Sequence, residues 1–431
     1  MLAAPPRPVA PSRAPAAPAR LGYRPALDGV RALAVVAVFA YHAGLGWARA
    51  GFFGVDVFFV LSGYLITALL LTERRREGRI DLLRFWGRRA RRLLPAVLVL
   101  LAAMAVAIPV LAPEQAYRLR GDLGAALGYV SNWRLIFGEE SYFQAVGRPP
   151  VLQHLWSLAV EEQFYLLWPP VVAVALHRRP YRKLTRAVLV GAVVSTVLMA
   201  VLFVPWTDPS RVYYGTDTRA AALLIGAALA CATTRWQLVD SVRLGSRRLL
   251  ELVGLLGLAG LAWAVSNVNE FDPRLYRGGF LAVAVLAAGL VATAARPGRP
   301  GPIGTVLGIR PLVWLGQRSY GVYLWFWPVM MFTRPHRDVS LTGLPLLGLR
   351  AGLTLAIAAL SFRLVERPIR EGALGQVWDD VSRRAPLRRS TATWGLAMSA
   401  TLACTAIGVA AGGIGASDRS TSVLATAAGL D

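Results

Sequence analysis

The sequence predicts an all-α, polytopic transmembrane helical bundle of ten core helices plus an eleventh helix near the C-terminus. Three observations carry this. Hydrophobic residues make up 55% of the 431-residue chain and charged residues only 16%, against roughly 25% charged in a soluble domain. The apolar residues fall into about eleven runs of bilayer length, roughly 17–25 residues each. Positive charge collects in alternate connections between those runs. A net charge of +23 would suggest a nucleic-acid surface in a soluble protein. Arginines sorted between apolar runs set membrane topology instead, and no nucleic-acid partner is expected. The two cysteines, Cys231 and Cys404, both lie in apolar runs, so neither a disulfide framework nor a thiolate metal site is expected.

Taken in order, residues 1–24 ("PPRPVAPSRAPAAPAR" at their centre) read as a disordered basic tail. No signal-peptidase site precedes the first apolar run, so a cleaved leader is not expected. The bundle occupies 25–370, with spans near 27–48, 52–72, 93–111, 152–176, 187–204, 217–234, 249–267, 278–295, 312–333 and 341–364. A linker (371–390), an additional span (391–413) and a short tail (414–431) follow. The stretch 121–137 is too polar to cross a bilayer. It reads as an interfacial helix inside a long loop, 112–151, and long loops are often functional. With the N-terminus inside, the cytoplasmic connections hold 31 Lys/Arg, against about 11 outside. Positive residues favour the cytoplasmic side, so the N-terminus is expected inside and the C-terminus outside, in the plasma membrane of a bacterium.

The first span, "DGVRALAVVAVFAYHAGLG" (28–46), carries three groups that are costly in hydrocarbon, since a charge at the bilayer centre costs at least ~2.5–3.5 kcal/mol. Arg31 and His42 are eleven residues apart, about three turns plus 20°, so they share a helix face roughly 16 Å apart along the axis. Asp28 lies three residues before Arg31 and can pair with it. The bland alternative is a satisfied ion pair and a histidine bonded to a neighbouring helix. A polar stripe lining one wet vestibule is the sharper one.

Six stretches carry a resemblance. They are "RPALDGVRALAVVAVFAYHAG" (24–44), "GFFGVDVFFVLSGYLIT" (51–67), "FWGRRARRLLPA" (85–96), "WSLAVEEQFYLLWP" (156–169), "SYGVYLWFWP" (319–328) and "VERPIR" (365–370). In this order they resemble the membrane acyltransferase-3 family over roughly 20–370, including its Arg, ten residues, then His in the first helix. The resemblance implies ten core helices. It also implies an O-acyltransferase moving an acyl group, most often acetyl, from cytosolic acyl-CoA to a carbohydrate hydroxyl of the cell envelope.

The residues fit that chemistry. An acceptor hydroxyl needs a base, and imidazole, with an unperturbed pKa of about 6.5, suits it. His42 is the expected base, with an acyl-imidazole as the variant. Of the other histidines, His154 is placed at a membrane edge, His177 by an arginine-rich turn and His336 in an outer loop, where solvated or interfacial roles suit them. Arg31 is expected to hold an oxyanion, a thioester or a CoA phosphate, and Asp28 to orient it. Arg88, Arg89, Arg91 and Arg92 read either as a lipid anchor or as a clamp for CoA phosphates. Arg89 and Arg92 are three apart and match the family's Arg-x-x-Arg pattern; Arg88 is grouped with them. Glu161 and Glu162 point some 100° apart on a helix, so only one can face a site squarely; the resemblance favours this motif without saying which of the two, a structural ion pair is the alternative, and Glu161 is entered in the catalytic set. Glu366 and Arg367 close the tenth span and are expected to brace the CoA region or simply pair at the helix end. Asp56 and "LSG" (61–63) read as packing rather than nucleophile, and Asp217 with Arg219 as a local ion pair. Many family members read Trp-His-x-Pro where this chain has Trp325-Phe326-Trp327-Pro328, and Phe326 cannot titrate. No metal is called for.

Two competing functions share the spans and the stripe. One is a transporter or flippase of a lipid-linked glycan; the other is an acyltransferase acting on a small secondary metabolite. Some family members carry an outer SGNH-type domain after an eleventh helix. Here the last residues lack a Gly-Asp-Ser block, so the expectation is a sequence that continues further or a separate extracytoplasmic SGNH-type partner.

Overall fold

The computed structural model describes residues 22–143, 147–178, 181–233 and 244–371. The expected eleventh helix, the linker beyond residue 371, the C-terminal tail and most of the basic N-terminal tail lie outside the described residues. So does Cys404. Within them the chain is helical, and the only β-pairing is an isolated bridge between Pro335 and Val339.

α1 (Pro25–His42) opens with proline in its first turn and Asp28 beside it. The fixed proline φ suits the first helical position, and a carboxylate favours the positive end of the helix dipole. α2 (Phe53–Glu77) stops at Gly78, whose φ of 70° is left-handed. Asp81 then caps α3 (Leu82–Leu111) by accepting the Arg84 N–H at 2.9 Å, a standard N-cap. The arginine-rich stretch 73–92, expected as a loop, is therefore mostly helix, because arginine is a good helix former and only Gly78–Asp81 break the run. That places Arg89 and Arg92 on one helical face.

The long loop holds two short helices, α4 (Ala116–Leu127) and α5 (Ser131–Phe137), where an interfacial helix was expected. There follow α6 (Leu155–Arg178), α7 (Tyr181–Leu202), the short α8 (Ser210–Tyr214), α9 (Thr216–Thr233), α10 (Leu244–Asn267) and α11 (Phe280–Ala294), then α12 (Pro302–Leu307), α13 (Arg310–Met331), α14 (Gly343–Ser361) and the single turn α15 (Arg367–Arg370). Short π-helical turns precede α11 and follow α14. Long helices lie where the spans were expected. Among the described residues, seven of these are long and apolar enough to cross a membrane by length and composition. The other three, α6, α9 and α13, carry the polar side chains discussed below.

Close backbone approach sets the packing. α2 lies along α9. A Cβ at Gly63 would overlap the Leu223 carbonyl oxygen, and one at Gly226 would overlap that of Val60. Small residues at helix crossings are how membrane helices gain contact area without a hydrophobic driving force. Gly63→Ala is thus expected to cost about 1–3 kcal/mol by overpacking, read as a lower thermal midpoint in detergent. Gly87→Ala, where a Cβ meets open space, should leave the midpoint unchanged or raise it. Equal midpoints for both variants would refute the crossing.

A second strut ties the loops at one end of the bundle together. Arg148, nearly buried, pairs with Glu114 and with Asp338, each at 3.0 Å. Asp338 also takes two bonds from the Arg334 guanidinium and one from its backbone N–H, and these, the guanidinium bonds foremost, hold its carboxyl below the usual carboxylate range.

Candidate active site

A cavity opens between α1, α2, α3, α6 and α13, with about 770 Å³ of empty space, part of it open to solvent. Its polar lining comes from five helices that are distant in sequence, with Ser319, Tyr320 and Tyr323 entering from α13. Arg31 projects from α1, Arg89 and Arg92 from α3, and Ser157, Glu161 and Tyr165 from α6; Ser62 enters from α2. The three α6 residues recur every fourth position, which in a helix puts them on one face.

A hydrogen-bonded core ties these groups together. Ser62 Oγ donates to Glu161 Oε1 at 2.7 Å, and the Tyr165 hydroxyl donates to Ser62 Oγ at 2.8 Å. The Arg89 guanidinium lies 5.2 Å from the centre of the Tyr165 ring and 5.8 Å from that of Phe85, a cation–π arrangement. Trp86 fixes the same stretch of α6 by donating its indole N–H to the Tyr165 carbonyl at 3.1 Å. Toward the opposite end of the bundle, Ser157 Oγ bonds the Tyr323 hydroxyl at 2.5 Å, and Tyr323 donates onward to the His154 carbonyl at 3.0 Å.

His42 sits beyond that end of the cavity and is not among its lining residues. Its Nδ1 lies 2.8 Å from the Val38 carbonyl, which can only accept. The proton is thereby assigned to Nδ1, leaving Nε2 as the accepting nitrogen. The Tyr142 hydroxyl, from the long loop, donates to Nε2 at 3.1 Å. Phe326 and Trp327 flank the ring, with centroids 5.2 and 5.1 Å away. Phe326 also touches His154 and Tyr323, so it stands between the cavity and His42.

The profile of the family described as "Acyltransferase domain" matches residues 24–363. The chain belongs to this acyltransferase family. Among its relatives, the peptidoglycan O-acetyltransferase OatA of Listeria monocytogenes is 45% identical over 350 residues, which is 81% of this chain and 56% of that protein. The putative peptidoglycan O-acetyltransferase YrhL of Bacillus subtilis is 42% identical over 370 residues, 85% of this chain and 57% of that protein. The O-acetyltransferase OatA of Staphylococcus aureus is 38% identical over 349 residues, 81% of this chain and 57% of that protein. The chain thus spans a little over half the length of these relatives. No solved structure matches it.

In this member of the acyltransferase family, several expectations are revised. Arg31 and His42 do lie along one helix, but the cavity takes in only Arg31, because Tyr323 and Phe326 fill the space between them. Asp28 lies 3.9 Å from Arg31 and accepts a closer bond, 2.7 Å, from the Tyr23 hydroxyl. Of the inner arginines, Arg89 and Arg92 line the cavity. Arg88 does not: one position earlier, it points away around the helix and pairs with Glu73 at 2.9 Å on the exposed side. Glu366 is buried at the end of the π turn, against Gly321 of α13, and is not part of the cavity lining. Glu161, not Glu162, faces the cavity.

His154 is 3% exposed and bonds the Leu324 carbonyl. Its ring is buried rather than solvated, because the loop before α6 packs against α13. His336 is exposed, as expected, and His177 lies near the end of α6. Asp217 and Arg219 each pair elsewhere, Asp217 with Arg211 at 2.8 Å and Arg219 with Asp56 at 2.9 Å. "LSG" divides its roles: Gly63 packs on α9 while Ser62 faces the cavity. Tyr142 and Tyr165 had no place in the sequence reading, and Ser62 was read there as packing. Tyr165 was findable, four residues after Glu161 on the same face. Ser62, 99 residues from Glu161, carried no such signal. Among the described residues no group of three or more His, Cys, Asp or Glu could hold a metal ion.

Proposed function

We propose that the chain is a multi-pass O-acyltransferase of a bacterial plasma membrane. It takes an acyl group, acetyl by its relatives' names, from cytosolic acyl-CoA and passes it to a hydroxyl of a cell-envelope carbohydrate, of which peptidoglycan is the favoured kind. The arginine-rich end, with Gly78–Asp81, faces the cytoplasm, as the distribution of positive charge supports. The observation that carries the reading is the meeting of three guanidiniums, Arg31, Arg89 and Arg92, in one cavity with a carboxylate and a hydroxyl. Guanidiniums suit the phosphates of a CoA donor, and the cavity interior suits its thioester arm. His42, whose unprotonated Nε2 near the opposite end accepts from Tyr142, is the base for the acceptor hydroxyl. The relatives' extra length fits an outer SGNH-type domain or partner that completes delivery.

Acetyl-CoA is expected to raise the thermal midpoint of the detergent-solubilised protein. Arg89→Ala with Arg92→Ala should abolish that shift and weaken apparent affinity at least tenfold, while Arg88→Ala leaves it intact. A transporter or flippase predicts movement of a lipid-linked glycan with no CoA released. Acetyl-CoA that neither stabilises the protein nor is consumed would overturn the acyltransferase reading. Competition between peptidoglycan fragments and hydroxylated secondary metabolites as acceptors separates the envelope substrate from the small-molecule alternative.

A further inference from the structure

We infer that Ser62 is a covalent way station, taking the acyl group from the thioester as a serine ester before it moves on. The inference rests on the acyl-CoA reading above and adds an intermediate to it. A serine hydroxyl has one proton to donate and two lone pairs. In Ser62 the proton is committed to Glu161 Oε1 at 2.7 Å and one lone pair to the Tyr165 hydroxyl at 2.8 Å. The second lone pair remains for attack, on a side chain that lines the cavity. A hydroxyl held against a carboxylate that can take its proton is the arrangement an activated nucleophile needs. Arg31 and Arg89, both within electrostatic reach of Glu161 and lining the same space, supply the positive charge that a tetrahedral oxyanion requires.

The position also suits a relay. Ser62 lies nine residues into the 25-residue α2, about 13 Å along the axis from its first residue. It is thus well inside the bundle, neither at the arginine-rich turn nor at the His42 end.

The step balances without further reagents. Ser62 Oγ attacks the acyl carbon; the O–C bond forms and the C–S bond breaks. The hydroxyl proton passes to Glu161 and then to the departing thiolate, which leaves as free CoA thiol. In the second half an acceptor hydroxyl, giving up its proton to His42, attacks the serine ester, the Ser62 Oγ–C bond breaks, and the proton that His42 took up is given back to Ser62 Oγ. The sum is thioester plus alcohol giving ester plus thiol.

The test incubates the purified protein with isotopically labelled acetyl-CoA and no acceptor, quenches it in acid and maps peptides by mass spectrometry. A single acetyl group on the α2 peptide at Ser62 is expected, with one equivalent of free thiol released. Ser62→Ala should lose the adduct and at least 100-fold in transfer while still being stabilised by acetyl-CoA. Ser62→Cys should carry a hydroxylamine-labile thioester instead. A Ser62→Ala protein that is stabilised normally and transfers within twofold of wild type overturns the relay while leaving the acyl-CoA reading standing. A label found only on another residue does the same. Absence of stabilisation in both wild type and Ser62→Ala overturns the donor reading and the relay with it.

Discussion

Replacing Arg219 with alanine is expected to lower the stability of the folded protein by about 3–5 kcal/mol, the usual cost of stranding one member of a buried ion pair. Arg219 and Asp56 join α9 to α2 at 2.9 Å, and both side chains are 1% exposed. The guanidinium is also surrounded by rings: its centre lies 4.2 Å from the Phe280 centroid, 4.9 Å from Tyr213, 5.6 Å from Phe59 and 6.0 Å from Trp156. Removing it leaves a bare carboxylate in the bundle and empties an aromatic cage. Asp56→Asn is expected to cost less, because the amide keeps the shape and one acceptor. The double variant should be clearly more stable than the sum of the two single losses, as expected for residues in contact. Thermal or denaturant unfolding in detergent checks this. Single variants within about 1 kcal/mol of wild type, outside the range given for breaking a buried pair, would refute it.

The second large effect concerns His42. His42→Ala is expected to lower acyl transfer by about 10²–10⁴-fold, the usual contribution of a general base, while acetyl-CoA still stabilises the protein. The geometry supplies a graded companion. Tyr142 is the group that meets Nε2, so Tyr142→Phe should reduce transfer by less than His42→Ala, because the imidazole keeps its anchor on Val38. Wild-type transfer should fall on acidification as the imidazole takes up a proton, and that limb should vanish from the residual activity of His42→Ala. A folded His42→Ala protein that transfers acyl groups at the normal rate would remove the base assignment.

Phe326 bears on the same region. Where many family members carry histidine, this chain has a ring that cannot exchange protons, wedged against His42 and His154. The polar side chains grouped at that end are His42, His154 and Tyr142, and the aromatic ring separates His42 from Tyr323 of the cavity lining.

The sequence by itself determined the helical class, the position of the long helices and the separation of Arg31 and His42 along α1. Each of these follows from periodicity and composition along one segment, and an α-helix has a fixed rise and turn. It also carried the family, because six motifs in order leave little freedom. Tertiary structure alone decided which groups meet. Arg88 and Glu161 show why: a shift of one position rotates a side chain by about 100°, and only the neighbouring helices say which direction faces a cavity. Ser62 and Glu161, 99 residues apart, become partners because glycines at 63 and 226 bring α2 onto α9 while α6 packs against α2's other side. For the same reason Arg219 found Asp56 rather than its near neighbour Asp217. In a bundle the partner of a buried charge is chosen by helix packing, and packing is a property of pairs of surfaces that no single stretch of sequence records.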